Sequence, residues 1–518
     1  MYRIQILNVA IMLLAFSCSN KNTEEADAGM DANSGTEADA SGDSDIDGDA
    51  DSDADADMPP PAWMLTIGGD REDRLNASST TSDQGMILVG TSESFLFHPC
   101  PSNTRCSNIW AVKVKRNGKI GWQKHYAGGI REEGWHVIQT QDKGFLISGT
   151  SRYHIEGTDN EWKSSVLILK LDKTGAIQWN RILKDTHSPS VSVLAETSDN
   201  GFIFAGARSS LGDENTDIWM VKFGADMNIE WQRTYGTERP EYPKAVTETP
   251  DSGFVVLAGD RVYWGPEEDV CNLDFCNNTI VLKVDTDGKH LWSRYLGDPA
   301  SSVYAQSITG SDNGCFIIGC IPLGPETDLK SLSVIKLTNL GRTEWQKGIS
   351  YGPDAGIDFA GISYAGDNGL IMAGTGYREY GNEYDDKYSL RIHKLDEDLS
   401  IEWQKEIRGR WFSVISGIWQ NTDGTYSLAS TATHFSEDMD MEEYREGEYG
   451  VLRFGDDVYF DGGCDLVYET YSETVPSDIQ NRKWSDLFTI TEADTNAVLR
   501  DFNANGADTD AEPEYLCP

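Results

Sequence analysis

At 518 residues and a formal net charge of −42, the chain is set against nucleic acid and against anionic membrane surfaces, since both call for a basic patch. A hydrophobic fraction of 39% with 15 Trp and 21 Tyr is ample for a core, and 50 Gly suit many tight turns between short strands.

Residues 1–17 read as an export signal, because the apolar run from Ile4 to Phe16 is too short to span a bilayer comfortably. The segment "LLAFSC" resembles a bacterial lipoprotein lipobox, with Ala15 where Leu is commonest. The resemblance implies that Cys18 carries lipid such as palmitate, and Ser19 in place of Asp fits sorting to an outer membrane. Residues 18–61 hold 14 acidic residues and one Lys, with almost no large apolar side chain, and read as a disordered acidic tether. "DSDIDGDADSDA" from Asp43 grazes a calcium-loop pattern but has Ala54 where the closing Glu belongs, so it reads as solvated spacer.

From 62 to about 460 three segments recur every 52 to 61 residues, a propeller period. The first is a turn and an apolar strand, as in "SDQGMILVG" (82–90), "QDKGFLISG" (141–149) and "SDNGFIFAG" (198–206). The second is a strand with a central base: Lys113, Lys170, Lys222, Lys283, Lys336, Lys394 and Arg453. The third is a strand with a Trp: Trp122, Trp179, Trp231, Trp292, Trp345 and Trp403. Seven copies of the first two face six of the third, and the missing Trp is Trp63 in the orphan opening "AWMLTIGGD". The expected fold is therefore all-β: a seven-bladed β-propeller of four-stranded antiparallel blades, closed by an N-terminal strand that completes the last blade as its outermost strand. Sevenfold repetition marks the base as scaffold, a structural ion pair or a snorkelling stem.

The form "KLDKTGAIQW" (170–179) resembles the Trp-bearing repeat of the pyrroloquinoline-quinone-like propeller group, and the array as a whole resembles bacterial seven-bladed propeller-repeat lipoproteins. That resemblance covers about 400 residues. It implies a fold and an envelope location, but its members include enzymes and assembly scaffolds alike.

With Cys18 set aside, eight cysteines remain, an even count that favours disulfides in an exported chain. Cys100 with Cys106 and Cys271 with Cys276 are close enough to pair inside loops, and Cys464 with Cys517 brackets the C-terminal segment. Cys315 and Cys320 lie five apart on one strand, on opposite faces, and read as free buried thiols.

The blades differ mainly in the loop between their second and third strands, which shares a face with the blade-to-blade connection. Long non-repeating loops on a rigid scaffold are where binding usually lives. Trp162, Trp264, Tyr377, Tyr380, Tyr384 and Trp411 are the candidate ligand-binding residues there. Aromatic faces beside carboxylates suit a glycan, a cationic peptide or a calcium-bridged partner. Catalytic signatures are missing: no His-Glu-x-x-His, no Gly-x-Ser-x-Gly and no phosphate-binding Gly loop. In the extension 461–518, "DFNANGADTDAE" (501–512) matches a calcium loop through Asp501, Asn503, Asn505, Gly506 and Glu512, preceded by a candidate helix capped at Thr491. The expected role is a membrane-anchored, non-catalytic scaffold that binds a protein or glycan on the long-loop face. An envelope hydrolase or lyase acting on glycans through carboxylates at the funnel, or an outer-membrane assembly scaffold, are the alternatives.

Overall fold

The computed structural model describes most of residues 62–517; outside the described residues lie 1–61, the larger parts of the long loops, and 456–466 and 477–490 near the C-terminus. Within this range the chain forms 34 strands and seven antiparallel sheets. In chain order, β1 is Trp63–Ile67, and blade 1 is β2 (Asp73–Thr80), β3 (Met86–Ser92), β4 (Asn108–Val114) and β5 (Ile120–Ala127). Blade 2 is β6 (Arg131–Gln139), β7 (Phe145–His154), β8 (Trp162–Leu171) and β9 (Ile177–Lys184). Blade 3 is β10 (Ser190–Glu196), β11 (Phe202–Ser209), β12 (Thr216–Phe223) and β13 (Ile229–Gly236). Blade 4 is β14 (Glu241–Glu248), β15 (Phe254–Tyr263), β16 (Phe275–Val284) and β17 (His290–Leu296). Blade 5 is β18 (Tyr304–Ser311), β19 (Gly314–Pro322), β20 (Lys330–Thr338) and β21 (Thr343–Ser350). Blade 6 is β22 (Ala355–Tyr364), β23 (Leu370–Arg378), β24 (Tyr388–Leu395) and β25 (Ile401–Arg408). Blade 7 is β26 (Val414–Gln420), β27 (Tyr426–His434) and β28 (Arg445–Phe454), and its fourth strand is β1. The fold is a seven-bladed β-propeller, and each first strand lies against the first strands of the two neighbouring blades to close an inner ring.

The closure is as the repeat count requires. β1 pairs antiparallel with β28, with Trp63 opposite Arg453 and Ile67 opposite Tyr449. The same base–Trp pairing recurs in every blade, from Lys113 opposite Trp122 to Lys394 opposite Trp403. β1 is not the outermost strand, however. The C-terminal segment adds a fifth strand to six of the seven blades, in reverse chain order: β29 (Val467–Tyr468) on β25, β30 (Glu473–Pro476) on β21, β31 (Thr491–Asp494) on β13, β32 (Val498–Asp501) on β9, β33 (Asn505–Asp508) on β5 and β34 (Pro513–Cys517) on β1. Blade 4 has four strands among the described residues. The helix expected ahead of residue 501 is replaced by β31 and β32, because each short segment meets an open sheet edge whose N–H and C=O groups it satisfies.

The repeated base is scaffold in the physical sense. Lys170 Nζ donates to both oxygens of Asp142 (2.9 and 2.8 Å) and to the Leu171 carbonyl (3.1 Å), so all three of its protons are used. Lys113, Lys222, Lys283 and Lys394 pair in the same way with Asp83, Asp199, Asp251 and Asp367, the aspartates of the first-to-second-strand turns. Burial works against the charge of Asp199, but Lys222, Thr197 and the Gly201 N–H outweigh it and hold the carboxyl down to about 2. The Gly of these turns is not the left-handed residue: φ is positive one position earlier, at Gln84, Lys143, Asn200 and Ser252. Gly is needed for room, since a Cβ on Gly144 would stand 2.4 Å from Lys170 Nζ and 2.3 Å from the Leu171 carbonyl oxygen. Blade 7 inverts the pattern, with Gly424 at positive φ and Thr425 in the crowded position, and it is the blade that carries Arg453 instead of Lys.

The repeated Trp acts between blades in at least four of the seven. The Trp231 indole N–H donates to the Thr286 carbonyl of blade 4 (2.9 Å), and the ring packs on Gly288, whose φ is +79°. Trp63, Trp122 and Trp292 repeat this contact on the third-to-fourth-strand turn of the next blade. A side chain at Gly288 would stand 2.8 Å from the ring and in the left-handed region, so the turn admits little else.

Candidate functional site

The two faces of the ring have different chemistry. On the tight-turn face each acidic or amide residue at the end of a first strand ties its blade to the previous one. Gln139 accepts from the Ser82 N–H (2.6 Å), Glu248 from the Ser198 N–H (2.7 Å) and Gln420 from the Gly366 N–H (2.5 Å). With the Lys–Asp pairs on the same face, this is a connected structural layer.

The other face bears the blade linkers and the long loops. Its inner edge holds a feature that alternating patterns do not reveal. Every first strand has a register shift at the equivalent position, which leaves Asn76, Trp135, Ser192, Lys244, Gln306, Ala360 and Ser416 outside the ladder. A bulge bends an edge strand and re-aims the extra side chain, and bulges are common beside binding and active sites. Seven bulges around one channel put six residue types at equivalent positions of an otherwise repeated scaffold. Two are locked in place: Asn76 Nδ2 donates to the Gly134 carbonyl of blade 2 (2.7 Å), and a hydroxyl hydrogen bond of 2.6 Å joins Ser416 to Ser78. The Trp135 indole donates to Thr150 Oγ1 (3.1 Å), which in turn donates to Glu133 (3.3 Å), and Arg131 holds Glu133 at 2.7 Å. Tyr242, two residues before the Lys244 bulge, is 41% exposed.

Three residues before the bulge, blades 1, 2 and 4 carry Asp73, Glu132 and Glu241, each fully buried. These acids are clips for their own blade. The Gly69 N–H and the Ser94 hydroxyl donate to Asp73 (2.6 and 2.9 Å), the Ser151 hydroxyl donates to Glu132 (2.9 Å), and the Thr237 N–H and hydroxyl donate to Glu241, the N–H at 3.0 Å. The Glu132 backbone also meets the loop between β3 and β4 of blade 1: its N–H donates to the Ser107 carbonyl (2.9 Å), next to Cys106, which is disulfide-bonded. Burial pushes Asp73 up from 3.8 to about 6, against hydrogen bonds from Ser92, Ser94 and the Gly69 N–H and with help from Glu448.

This shift gives a measurable pH dependence. Below about pH 3.8 the carboxyl is protonated in the folded and unfolded chains alike, and its burial costs nothing electrostatic. As pH rises through about 6 the folded chain must bury the charge, so about 3 kcal/mol of stability is lost over that window. Asp73→Asn removes the slope: relative to the parent, its unfolding free energy should improve by that amount between pH 3.5 and 7. A difference between the two proteins that does not change with pH would remove the argument.

The loop candidates fall at the edge of what is described. Trp162 opens β8 opposite His154, and Tyr377 lies on β23 opposite Tyr388 and Gly356, so both stand at the long-loop end of their blades. Trp264, Tyr380, Tyr384 and Trp411 lie outside the described residues, as do Cys18, Cys100, Cys271 and Cys464. Cys276 is on β16 and Cys517 ends β34. Cys315 is free and buried, as expected, with its thiol pushed up to about 12 by burial. Asp501 ends β32 and Asn505 begins β33, while Asn503 and Glu512 lie outside the described residues. Among the described residues no group of three or more His, Cys, Asp or Glu is placed to hold a metal ion.

Comparison with known protein families finds no match, and comparison with curated protein sequences finds none. Among solved structures, puromycin hydrolase matches with a TM-score of 0.38 and 12% identity over 74% of this chain and 63% of that chain. A mutant of puromycin hydrolase complexed with PGG matches with a TM-score of 0.37 and 11% identity over 72% of this chain and 61% of that chain. This chain thus spans less than two thirds of either protein, and no statement about activity follows from likeness at this distance.

Proposed function

We propose that this chain is an envelope lipoprotein, held by lipid on Cys18 and an acidic tether, whose propeller is a non-catalytic scaffold that binds a macromolecule or glycan on its long-loop face. The observation that carries this reading is the contrast between the faces. The tight-turn face repeats one set of ion pairs blade after blade, whereas the bulges on the loop side carry six different residue types at seven positions. Trp135 and Tyr242 supply aromatic surface, Lys244 and Asn76 supply donors, and the loops beyond them add further aromatics and carboxylates. The described carboxylates beside the channel speak against glycan hydrolysis, which needs two acids facing one bond. Asp73, Glu132 and Glu241 are instead buried in separate blades, each bonded within its own strands and linker.

Among the described residues no helix is long and apolar enough to cross a membrane, and the proposal places attachment at Cys18. The test uses the protein freed of its lipid in glycan-array and pull-down screens, followed by Trp135→Ala with Tyr242→Ala. Expected is a captured glycan or protein whose affinity falls tenfold or more in the double variant while the melting temperature stays within a few degrees. Turnover of an envelope glycan, or capture unaffected by the double variant, would count against the reading. Cys18→Ser should release the chain from the membrane fraction.

A further inference from the structure

The C-terminal rim of fifth strands keeps one pitch around the ring, except at blade 4. Opposite the fourth residue after the repeated Trp stand Val467 in blade 6, Thr474 in blade 5, Glu492 in blade 3, Leu499 in blade 2, Gly506 in blade 1 and Pro513 in blade 7. Each step between adjacent blades is seven residues, but the step from blade 5 to blade 3, past blade 4, is eighteen, four more than two such steps. The edge that it passes is unlike the others. Before the repeated Trp, blade 4 has Leu291 where blades 1, 2, 3, 5 and 6 have Gly121, Gln178, Glu230, Glu344 and Glu402. After the Trp it has Ser293 where they have Gln123, Asn180, Gln232, Gln346 and Gln404. Trp292 turns one face of β17 onto blade 5, its indole N–H donating to the Asn339 carbonyl (2.8 Å), and Leu291 and Ser293 share the other face. Leu291 is 50% exposed, on a strand with no fifth strand beside it among the described residues.

We propose that the outer edge of β17 is a strand-docking site and that its occupant is residues 477–490, the stretch that joins β30 on blade 5 to β31 on blade 3. Backbone pairing satisfies the free N–H and C=O groups of the edge, and alternate side chains supply the choice of segment. The stretch ends in "KWSDLFTI" (483–490), which carries Trp484, Leu487, Phe488 and Ile490. The pitch of the rim assigns their faces. With the four extra residues in the connection before blade 4, Ser485 stands opposite Leu296; with all four after it, Asn481 does. These registers differ by an even number of residues, as does the two-and-two split between them, so each turns Trp484, Phe488 and Ile490 to the Leu291 face and only Leu487 to the other. Ser293 leaves room on that face for an aromatic ring, where a Gln would fill it, and Leu291 gives the ring an apolar neighbour. The extra length also has a use. In blades 1 to 3 pairing with the rim ends two positions after the Trp, at Lys124, Arg181 and Arg233, and Leu291 lies three positions beyond that point. A strand that reaches it and returns needs more chain than a seven-residue step holds. With blade 4 filled, the rim runs unbroken from blade 6 round to blade 7 and covers every sheet edge, which leaves the loop face to partners.

The test is hydrogen exchange on the full chain, comparing the parent with a variant in which residues 480–490 are replaced by Gly and Ser at equal length. Expected is a rise of about tenfold or more in amide exchange at β17, with β3 and β4 unchanged. Trp484→Ser with Phe488→Ser should reproduce most of that rise, and Lys483→Ser with Leu487→Ser, on the other face, should not. Leu291→Glu with Ser293→Gln, which gives blade 4 the residues of blade 3, should speed exchange over residues 480–490 by a similar factor. Parent-like exchange at β17 in the Gly-Ser variant overturns the proposal, and so do equal effects of the two Ser pairs. Protection of β17 that rises with protein concentration overturns it too, because a second copy then holds the edge. If the Gly-Ser variant does not fold, the two Ser pairs decide.

Discussion

Removal of residues 62–68 will lower the unfolding free energy by roughly 6–12 kcal/mol, from burial of Trp63, Met64, Leu65 and Ile67 alone at about 1.5–3 kcal/mol each. All four are at most 4% exposed, and the strand serves two clusters: Met64 packs with blades 6 and 7, while Trp63, Leu65 and Ile67 pack with blade 1. The loss also opens the ring. Without β1, the Trp63 N–H bond to the Arg116 carbonyl (3.1 Å) and the ring contact on Gly118 disappear, and blades 7 and 1 keep their inner-strand and turn contacts and the Tyr449–Trp110 contact of their third strands. Removal of residues 24–58, within the acidic tether, should stay within about 0.5 kcal/mol of the parent. Denaturant midpoints of the two deletions decide the matter, and equal midpoints would end the closure argument. Trp63→Ala alone should cost about 3–5 kcal/mol. Trp63 is the one repeated Trp that is buried, so the same change at Trp122 or Trp231, which are half-buried, should cost less.

Asp423→Ala should destabilise by about 3–5 kcal/mol, more than removal of the equivalent aspartate in any other blade. Among the described residues Asp423 is the one turn aspartate that serves two bases across a blade junction: Arg453 of its own blade at 2.7 Å and Arg116 of blade 1 at 2.9 Å. Arg453 is 1% exposed and donates a further bond to the Gln84 carbonyl of blade 1 (2.6 Å), so the loss of Asp423 leaves a buried guanidinium charge without its carboxylate. Asp142, by contrast, is half exposed, and water reaches Lys170 when it is removed. Arg453→Met on the Asp423→Ala background should recover at least half of the loss, because an apolar side chain of similar size needs no counter-charge. Thermal melts of the two single variants and the double variant measure this; a double variant worse than Asp423→Ala would show that Arg453 contributes mainly through packing.

Much of the scaffold was legible in the chain because a propeller repeats its local chemistry. The base, the Trp and the Asp-x-Gly turn recur at fixed offsets, so the count of seven, the four-strand blade and the role of Trp63 all follow from arithmetic on the pattern. The candidate site was far less legible. A bulge is one skipped residue in a hydrogen-bond ladder, and Asn76, Trp135 and Lys244 share no side-chain type that would betray an equivalent place. A faint signal did exist for the buried clips: Asp73 and Glu241 each follow by four residues the linker position, Gly69 or Thr237, whose N–H they accept. It is short, present in part of the array, and easily lost among 85 acidic residues.

The sequence by itself determined the ring, its closure and the scaffold role of the repeated base, since each depends on periodic local patterns that a one-dimensional reading preserves. Only the tertiary structure decided three things. It showed that the indoles join successive blades, a contact between residues some 50 apart in the chain. It showed which positions bulge into the inner ring. It turned the C-terminal segment from a helix and loop into a rim of short strands. These share a physical reason: each is set by what a neighbouring edge or blade offers, and an open edge accepts backbone almost regardless of sequence.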